Sequence, residues 1–361
     1  MPAIDRQATF SGTEAPPEHL ALDVPRLAAY MADKIPELGD DFSVEKFKGG
    51  QSNPTYKLTG RDVTIVLRRR PPGKLLASAH AIDREYRVME AVGLAGVPAP
   101  QTYFYCTDES IIGSEFYVVG FNEGTVYWNA DMPGAAPADR AAVYEDMNGR
   151  IAQIHGLDYA AYGLGSLAKV GGYAARNLSR WSKIYADSTL VDIPDMDWLM
   201  DALPDMLPAE ERVCLVHGDF GLYNVIVAPE EPKISAIIDW EMATLGDPFI
   251  DLAHHVRAWW EVPDPEGGAA TSLKGMDVAA LGIPTMDEYI DRYCRRMGLT
   301  ELPHRRFYLG YAQFRNAAMV QGILKRAAIG TASSARASIH RQERVFEIAA
   351  LARATLEGRE A

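Results

Sequence analysis

Cysteine is scarce: three in 361 residues, at Cys106, Cys214 and Cys294. They lie far apart and none has C-x-x-C spacing, which excludes a disulfide framework and a thiolate metal knuckle. The expectation is three reduced, buried thiols in a reducing compartment. Positive charge is also short. The 36 Lys and Arg residues face 49 Asp and Glu, a formal charge of −13. Such a balance argues against nucleic acid or an anionic membrane as partner. Long apolar runs are missing: no stretch approaches the roughly 18 residues of a membrane span. The first twenty residues carry acids and prolines and no apolar signal core. A soluble, cytoplasmic protein is expected. Internal repeats and low-complexity tracts are absent too.

What is present is enough apolar material for a substantial core, 48% of 361 residues. That length suggests two domains or one large bilobal unit. Residues 1–20 read as a loosely held polar arm. The segment 23–35 has helical spacing, with Asp23 as N-cap and Pro25 in the first turn. Alternating β-branched and aromatic residues at 41–50 and 55–70 predict strands, with a hairpin turn at Gly60-Arg61-Asp62. Ile82, Tyr86, Met89 and Val92 fall on one face of a helix over 79–96. Two more strands are expected within 97–124. Beyond that, helical patterns dominate: 141–157, 180–188, 196–207, 285–297 and 305–328. The change of character near residue 121 divides an N-terminal unit, 1–120, from a C-terminal one, 121–361.

The segment Leu215–Pro248 carries the chemistry. An apolar run leads into His217-Gly218-Asp219. Asn224 opens the strand NVIV, a turn between Pro229 and Pro232 reverses the chain, and ISAII delivers Asp239. A hairpin thus brings Asn224 and Asp239 together, with Asp219 on the preceding loop. One carboxylate and one amide suit magnesium beside nucleotide phosphates, because this hard cation takes oxygen ligands and keeps several waters. Asp219 is left to receive or orient a substrate hydroxyl. His217 is expected to hold the loop through backbone hydrogen bonds. Asp247 caps a following helix with Pro248 in its first turn. The adjacent His254 and His255 are expected to point apart, one packed and one exposed.

The order HGD, four residues, Asn, then IIDWE resembles the aminoglycoside phosphotransferase/choline kinase branch of protein-kinase-like enzymes. GQSNPTY, LRRRPPGKLL, AHAIDREYRV, ARNLSRWSKIY, GDP…DLAHH and QFRNAAMVQGILKRA resemble one subgroup over about 25–335. That subgroup comprises kinase-like domains fused to acyl-CoA dehydrogenases and their free-standing bacterial relatives. The resemblance implies an α+β bilobal kinase-like fold, with a strand-rich N-lobe and a mainly helical C-lobe. It implies ATP and Mg2+ as cofactors, a small-molecule hydroxyl acceptor and action alongside an acyl-CoA dehydrogenase. By position it makes Asp219 the catalytic aspartate and Asn224 and Asp239 the metal ligands. Glu85 becomes the helix glutamate, and Ser52, Asn53, Arg68 and Phe121 contact nucleotide. Asp251 braces the catalytic loop.

Two departures stand out. Arg68 stands where a lysine is usual, and it keeps the charge in a bulkier, forked form. Gly221 and Tyr223 replace the Arg and Asp expected of the subgroup, which leaves the acceptor open. Arg176, Arg257, Arg315 and Lys325 are candidates to line a cleft for an anionic acceptor such as a CoA ester. A hydroxyacyl-CoA or hydroxy acid is the leading acceptor. The alternatives are an aminoglycoside or other small-alcohol kinase, a nucleotide-binding module without turnover, and a metal-dependent phosphatase.

Overall fold

The computed structural model describes residues 6–49, 53–71, 82–168, 170–262, 272–329 and 342–359. The N-lobe is built on six antiparallel strands: β1 (Thr13–Glu14), β2 (Ser43–Phe47), β3 (Thr55–Thr59), β4 (Thr64–Arg69), β5 (Thr102–Cys106) and β6 (Phe116–Gly120), in spatial order β1-β2-β3-β4-β6-β5. The turn expected at 60–62 joins β3 to β4. Alternation sorts the side chains by face. Tyr56, Leu58, Ile65, Leu67, Phe116 and Val118 form a core under helix α2 (Val24–Met31), which inserts Leu27 and Met31. Asp23 caps α2 by accepting from the Arg26 amide at 3.1 Å, as the sequence predicts.

The opposite face of the sheet carries Val66, Arg68, Tyr117 and Val119 toward helix α3 (Ile82–Leu94). Tyr117 and Val119 join the second core, which runs on through the C-lobe. The same alternation separates the three arginines of β4 and its end. Arg68 faces inward, whereas Arg69 donates to Ser114 and Arg70 pairs with Glu115.

The arm is more ordered than its composition suggests. A short helix, α1 (Arg6–Phe10), leads into β1 on the sheet edge. Gln7 donates to the Val126 carbonyl at 2.9 Å and accepts from the Trp128 amide at 3.1 Å. The Phe10 and Trp128 rings lie 4.8 Å apart. Residues 6–14 therefore form a strap from the sheet edge to the start of the C-lobe.

The C-lobe helices are α4 (Pro137–His155), α5 (Tyr173–Ser188), α6 (Pro194–Ala202), α7 (Pro248–His255), α8 (Arg257–Trp260), α9 (Val278–Leu281), α10 (Met286–Arg296), α11 (Arg305–Ala328) and α12 (Gln342–Glu357). Helix α12, which the sequence reading does not include, packs along α11 through Val345, Ile348, Ala349 and Ala352. The two approach closely at Gly310, where an added Cβ would lie 2.6 Å from Leu356. Two small hairpin-like pairs position the chemistry. Strand β7 (Cys214–Val216) pairs with β10 (Thr244–Gly246), and β8 (Val225–Val227) with β9 (Ile234–Ile237). The resulting fold is the bilobal α+β arrangement expected. Among the described residues no helix is long and apolar enough to cross a membrane.

Candidate active site

Strand β7 leads into His217-Gly218-Asp219, the loop that precedes Tyr223 and Asn224 of the cleft wall. Gly218 has φ +84°, and an added Cβ would press on the Met242 carbonyl at 2.7 Å, so this turn requires glycine. Asp251, buried on α7, accepts from the His217 amide at 2.8 Å, the Gly218 amide at 2.9 Å and His155 Nε2 at 3.2 Å. Burial works against its charge, but these donors prevail and lower its pKa to about 2. The His217 ring donates through Nε2 to the Ile238 carbonyl at 3.1 Å and accepts the Asp219 amide at Nδ1. That is the loop-holding role the sequence suggests.

Asp219 is surrounded by donors. The Tyr223 hydroxyl and His254 Nε2 both reach its Oδ1, at 2.7 and 3.1 Å. Asn224 Nδ2 donates to its backbone carbonyl at 2.8 Å and to Oδ2 at 3.2 Å. Burial again opposes the charge. The His254 hydrogen bond and the nearby Arg257 outweigh it and hold the carboxyl well below the usual carboxylate range. A carboxylate of this kind orients a hydroxyl well and takes its proton late.

The two histidines depart from expectation: both are buried. All eight residues of α7 are buried, so the 100° between neighbours leads to two different interiors. His254 faces Asp219, while His255 lies between the Phe220 carbonyl and the Tyr289 hydroxyl. Burial pushes both from 6.5 to about 4, with Arg315 adding to the effect at His254. They are neutral in the folded chain, whereas the unfolded chain binds protons below about pH 6.5. Their contribution to stability is therefore complete above pH 6.5 and is lost as pH falls toward 4. Folding stability should start to drop at mildly acidic pH, by roughly 3 kcal/mol per histidine over the window, and the melting temperature should fall with it. His255→Gln should flatten that limb, and a pH series of thermal melts checks it.

A second charged cluster surrounds Arg68. Asp239 follows β9 in the left-handed region, with φ +64°, a conformation uncommon for residues other than glycine but one that aspartate adopts more readily than most. Arg68 Nη2 contacts its Oδ1 at 2.9 Å and Glu241 at 3.1 Å, while Nε pairs with Glu85 at 3.2 Å. Burial opposes the guanidinium charge, but Glu85, Tyr117, Asp239 and Glu241 raise its pKa, so Arg68 stays cationic. Glu85 is fully buried, and burial lifts it to about 7 even beside Arg68. Three carboxylates around one guanidinium leave an excess of negative charge. Asn224 uses its amide nitrogen on Asp219, so its oxygen is the end left over beside Asp239. Excess negative charge and hard oxygen donors fit magnesium completed by phosphate and water. Among the described residues no cluster of three or more His, Cys, Asp or Glu forms a self-sufficient metal site.

These groups share a cleft of about 1680 Å3, measured with the solvent at its mouth, whose walls include Arg68, Glu85, Phe121, Asn224 and Asp239. Phe121 carries Lys57 Nζ at 4.8 Å over its ring. Asn53 lies beneath, donating to Glu241 at 3.3 Å. Ser52 lies outside the described residues. Gln7, Phe10 and Thr13 of the strap also line the cleft, which no signal in the sequence reading marks. A second, narrow pocket, about 470 Å3 only when the solvent at its mouth is counted, opens beside Asp219's partners, with Tyr127, Tyr144, Tyr223, His254, Arg257 and Trp259 in its walls. Of the four basic candidates, Arg257 lines this cavity, paired with Glu261 at 3.3 Å. Arg315 stacks on Trp181 at 5.4 Å behind His254. Arg176 turns back to the Gly171 carbonyl, and neither it nor Lys325 lines the cleft or the cavity.

Comparisons with known proteins bear on the family and the fold. The phosphotransferase enzyme family model matches residues 43–293. Acyl-CoA dehydrogenase family member 10 of Mus musculus is 43% identical over 295 residues, covering 81% of this chain and 27% of that protein. Acyl-CoA dehydrogenase family member 11 of Rattus norvegicus is 37% identical over 341 residues, covering 92% and 43%. The chain thus spans less than half the length of these curated relatives. A crystal structure from Ralstonia eutropha, provisionally named an aminoglycoside phosphotransferase, superposes with a TM-score of 0.84 at 40% identity. It covers 94% of this chain and 100% of that one. The chain belongs to the phosphotransferase enzyme family.

Proposed function

We propose that the enzyme transfers the γ-phosphoryl group of ATP, with magnesium, to the hydroxyl of a hydroxyacyl-CoA or a related hydroxy acid. The lining of the acceptor cavity carries this reading. Among the described residues its walls are aromatic and apolar, with Arg257 as the one formal cation and no carboxylate. An acyl chain with an anionic end suits such walls. A polycationic aminoglycoside gains nothing from them, since a pocket for it needs acidic groups.

Each of the chain's own residues has a task. Asp219 aligns the acceptor hydroxyl through Oδ2, the oxygen not shared by Tyr223 and His254, and receives its proton late in transfer. Arg68 neutralises phosphate charge, and Glu85 fixes its direction. Val66, Val119 and Phe121 wall the base-binding end of the cleft. Asn224 and Asp239 would hold magnesium, which would supply charge neutralisation at the phosphates. The likeness to members of the acyl-CoA dehydrogenase family supports a place beside such a dehydrogenase.

A panel of hydroxyacyl-CoA esters, free hydroxy acids and aminoglycosides, with magnesium-ATP, tests the acceptor. Phosphorylated product from the hydroxyacyl members is the expected result. Product from aminoglycosides alone would overturn the reading, and Arg257→Gln should raise KM for the ester more than KM for ATP.

A further inference from the structure

Tyr223 stands where the resemblance leads one to expect aspartate, and its hydroxyl does what an acceptor hydroxyl must do. It donates to Oδ1 of Asp219 at 2.7 Å, within the reach a proton-accepting carboxylate needs. Among the described residues no other hydroxyl has a hydrogen bond of this kind to Asp219. The ring also stands between the two spaces. Tyr223 lines the nucleotide cleft together with Asn224 and Asp239, and it lines the acceptor cavity together with His254 and Arg257. Gly221 makes this possible. Its backbone is extended, with φ −171°, which any residue adopts. The space is what matters, because an added Cβ would lie 2.6 Å from Tyr223 Cε1. Gly221 and Tyr223 therefore work as a pair, one giving room for the ring of the other.

We propose that Tyr223 is itself an acceptor: in the absence of a small-molecule hydroxyl, the enzyme transfers the γ-phosphoryl group of ATP to the Tyr223 phenol. This rests on the nucleotide-dependent reading above. The bond between the γ-phosphorus and the β,γ-bridging oxygen breaks, and its electron pair leaves with ADP. A new bond forms between the phosphorus and the phenolic oxygen, whose proton passes to Oδ1 of Asp219. The transition state is loose, so a neutral phenol is an adequate nucleophile once aligned. Arg257, in the wall beside Tyr223, faces the product and can pair with its phosphate. A group of about −1.5 to −2 charge between cleft and cavity then bars the acceptor route, so idle turnover shuts the enzyme off.

The full chain is incubated with magnesium and γ-labelled ATP, without acceptor, and digested for peptide mapping by mass spectrometry. The expected result is up to one phosphate per chain, on Tyr223, at a first-order rate that dilution of the protein leaves unchanged. Tyr223→Phe and Asp219→Asn, checked for folding by thermal melts, should lose the label. Gly221→Ala should lower it by displacing the ring. Wild-type protein without phosphate on Tyr223, or with phosphate only elsewhere, overturns the proposal. If ADP accumulates meanwhile, the nucleotide reading stands. If no ADP forms and magnesium-ATP gives no thermal shift, that reading falls as well.

Discussion

Asp219→Asn should lower phosphoryl transfer by roughly 10² to 10⁴-fold, the range for removing a positioned proton acceptor. Nucleotide affinity should change little. The asymmetry follows from the division of the site. Asp219 is tied to Tyr223, His254 and Asn224, while the phosphate-facing groups are Arg68, Asn224 and Asp239. Asparagine keeps the shape and removes the charge that aligns the hydroxyl. The check is steady-state kinetics beside a thermal shift or calorimetric titration with magnesium-ATP. Transfer near wild type would remove Asp219 from its role. Loss of nucleotide binding of the same size would mean that the cleft and the loop are not separable.

Arg68→Met should be the most damaging single change to stability, at about 3 to 5 kcal/mol, the cost of stranding a buried charge. It leaves Glu85 fully buried without its cation and deprives Asp239 and Glu241 of theirs. The pH dependence sharpens the expectation. Glu85 titrates in the fold near 7, above the ordinary 4.5, because burial outweighs Arg68. An acid raised in this way favours the folded chain at low pH, and that benefit is lost as pH rises through 7. The deficit of the variant should therefore be largest above pH 7 and shrink below it. Arg68→Lys should recover part of the stability, yet raise KM for nucleotide because one ammonium cannot span three carboxylates. Urea melts at several pH values read the first effect, and kinetics read the second. A deficit under 1 kcal/mol at alkaline pH would show that the cluster is solvated rather than sealed.

Much of this site is legible in the sequence because its core is local. Asp219, Asn224 and Asp239 lie within one loop and one hairpin, so their order alone brings them together. Strand alternation also separates Arg68 from Arg69 without any tertiary information. The rest needed the fold. Glu241 joins the arginine cluster only because Asp239 takes a left-handed turn that folds the next residues back. His254 is indistinguishable from His255 until α7 is seen to be buried on every side. The strap is polar and short, and its order comes from a sheet edge and Trp128 far away in sequence. Helix α12 is a different case: its apolar spacing at Val345, Ile348, Ala349 and Ala352 is readable, but its place against α11 is not.

The strap bears on product release. Its described ties to the rest of the chain include a two-residue strand pairing, Thr13 on Glu45 at 2.8 Å, the Lys46–Glu14 ion pair, Gln7 and the Phe10–Trp128 ring contact. Phe10 and Trp128 both line the cleft, so on the proposed function loosening the strap should change the rate at which nucleotide leaves. Removing residues 1–14 alone, which spares α2 and the N-lobe core it completes, should open that flank and speed nucleotide release.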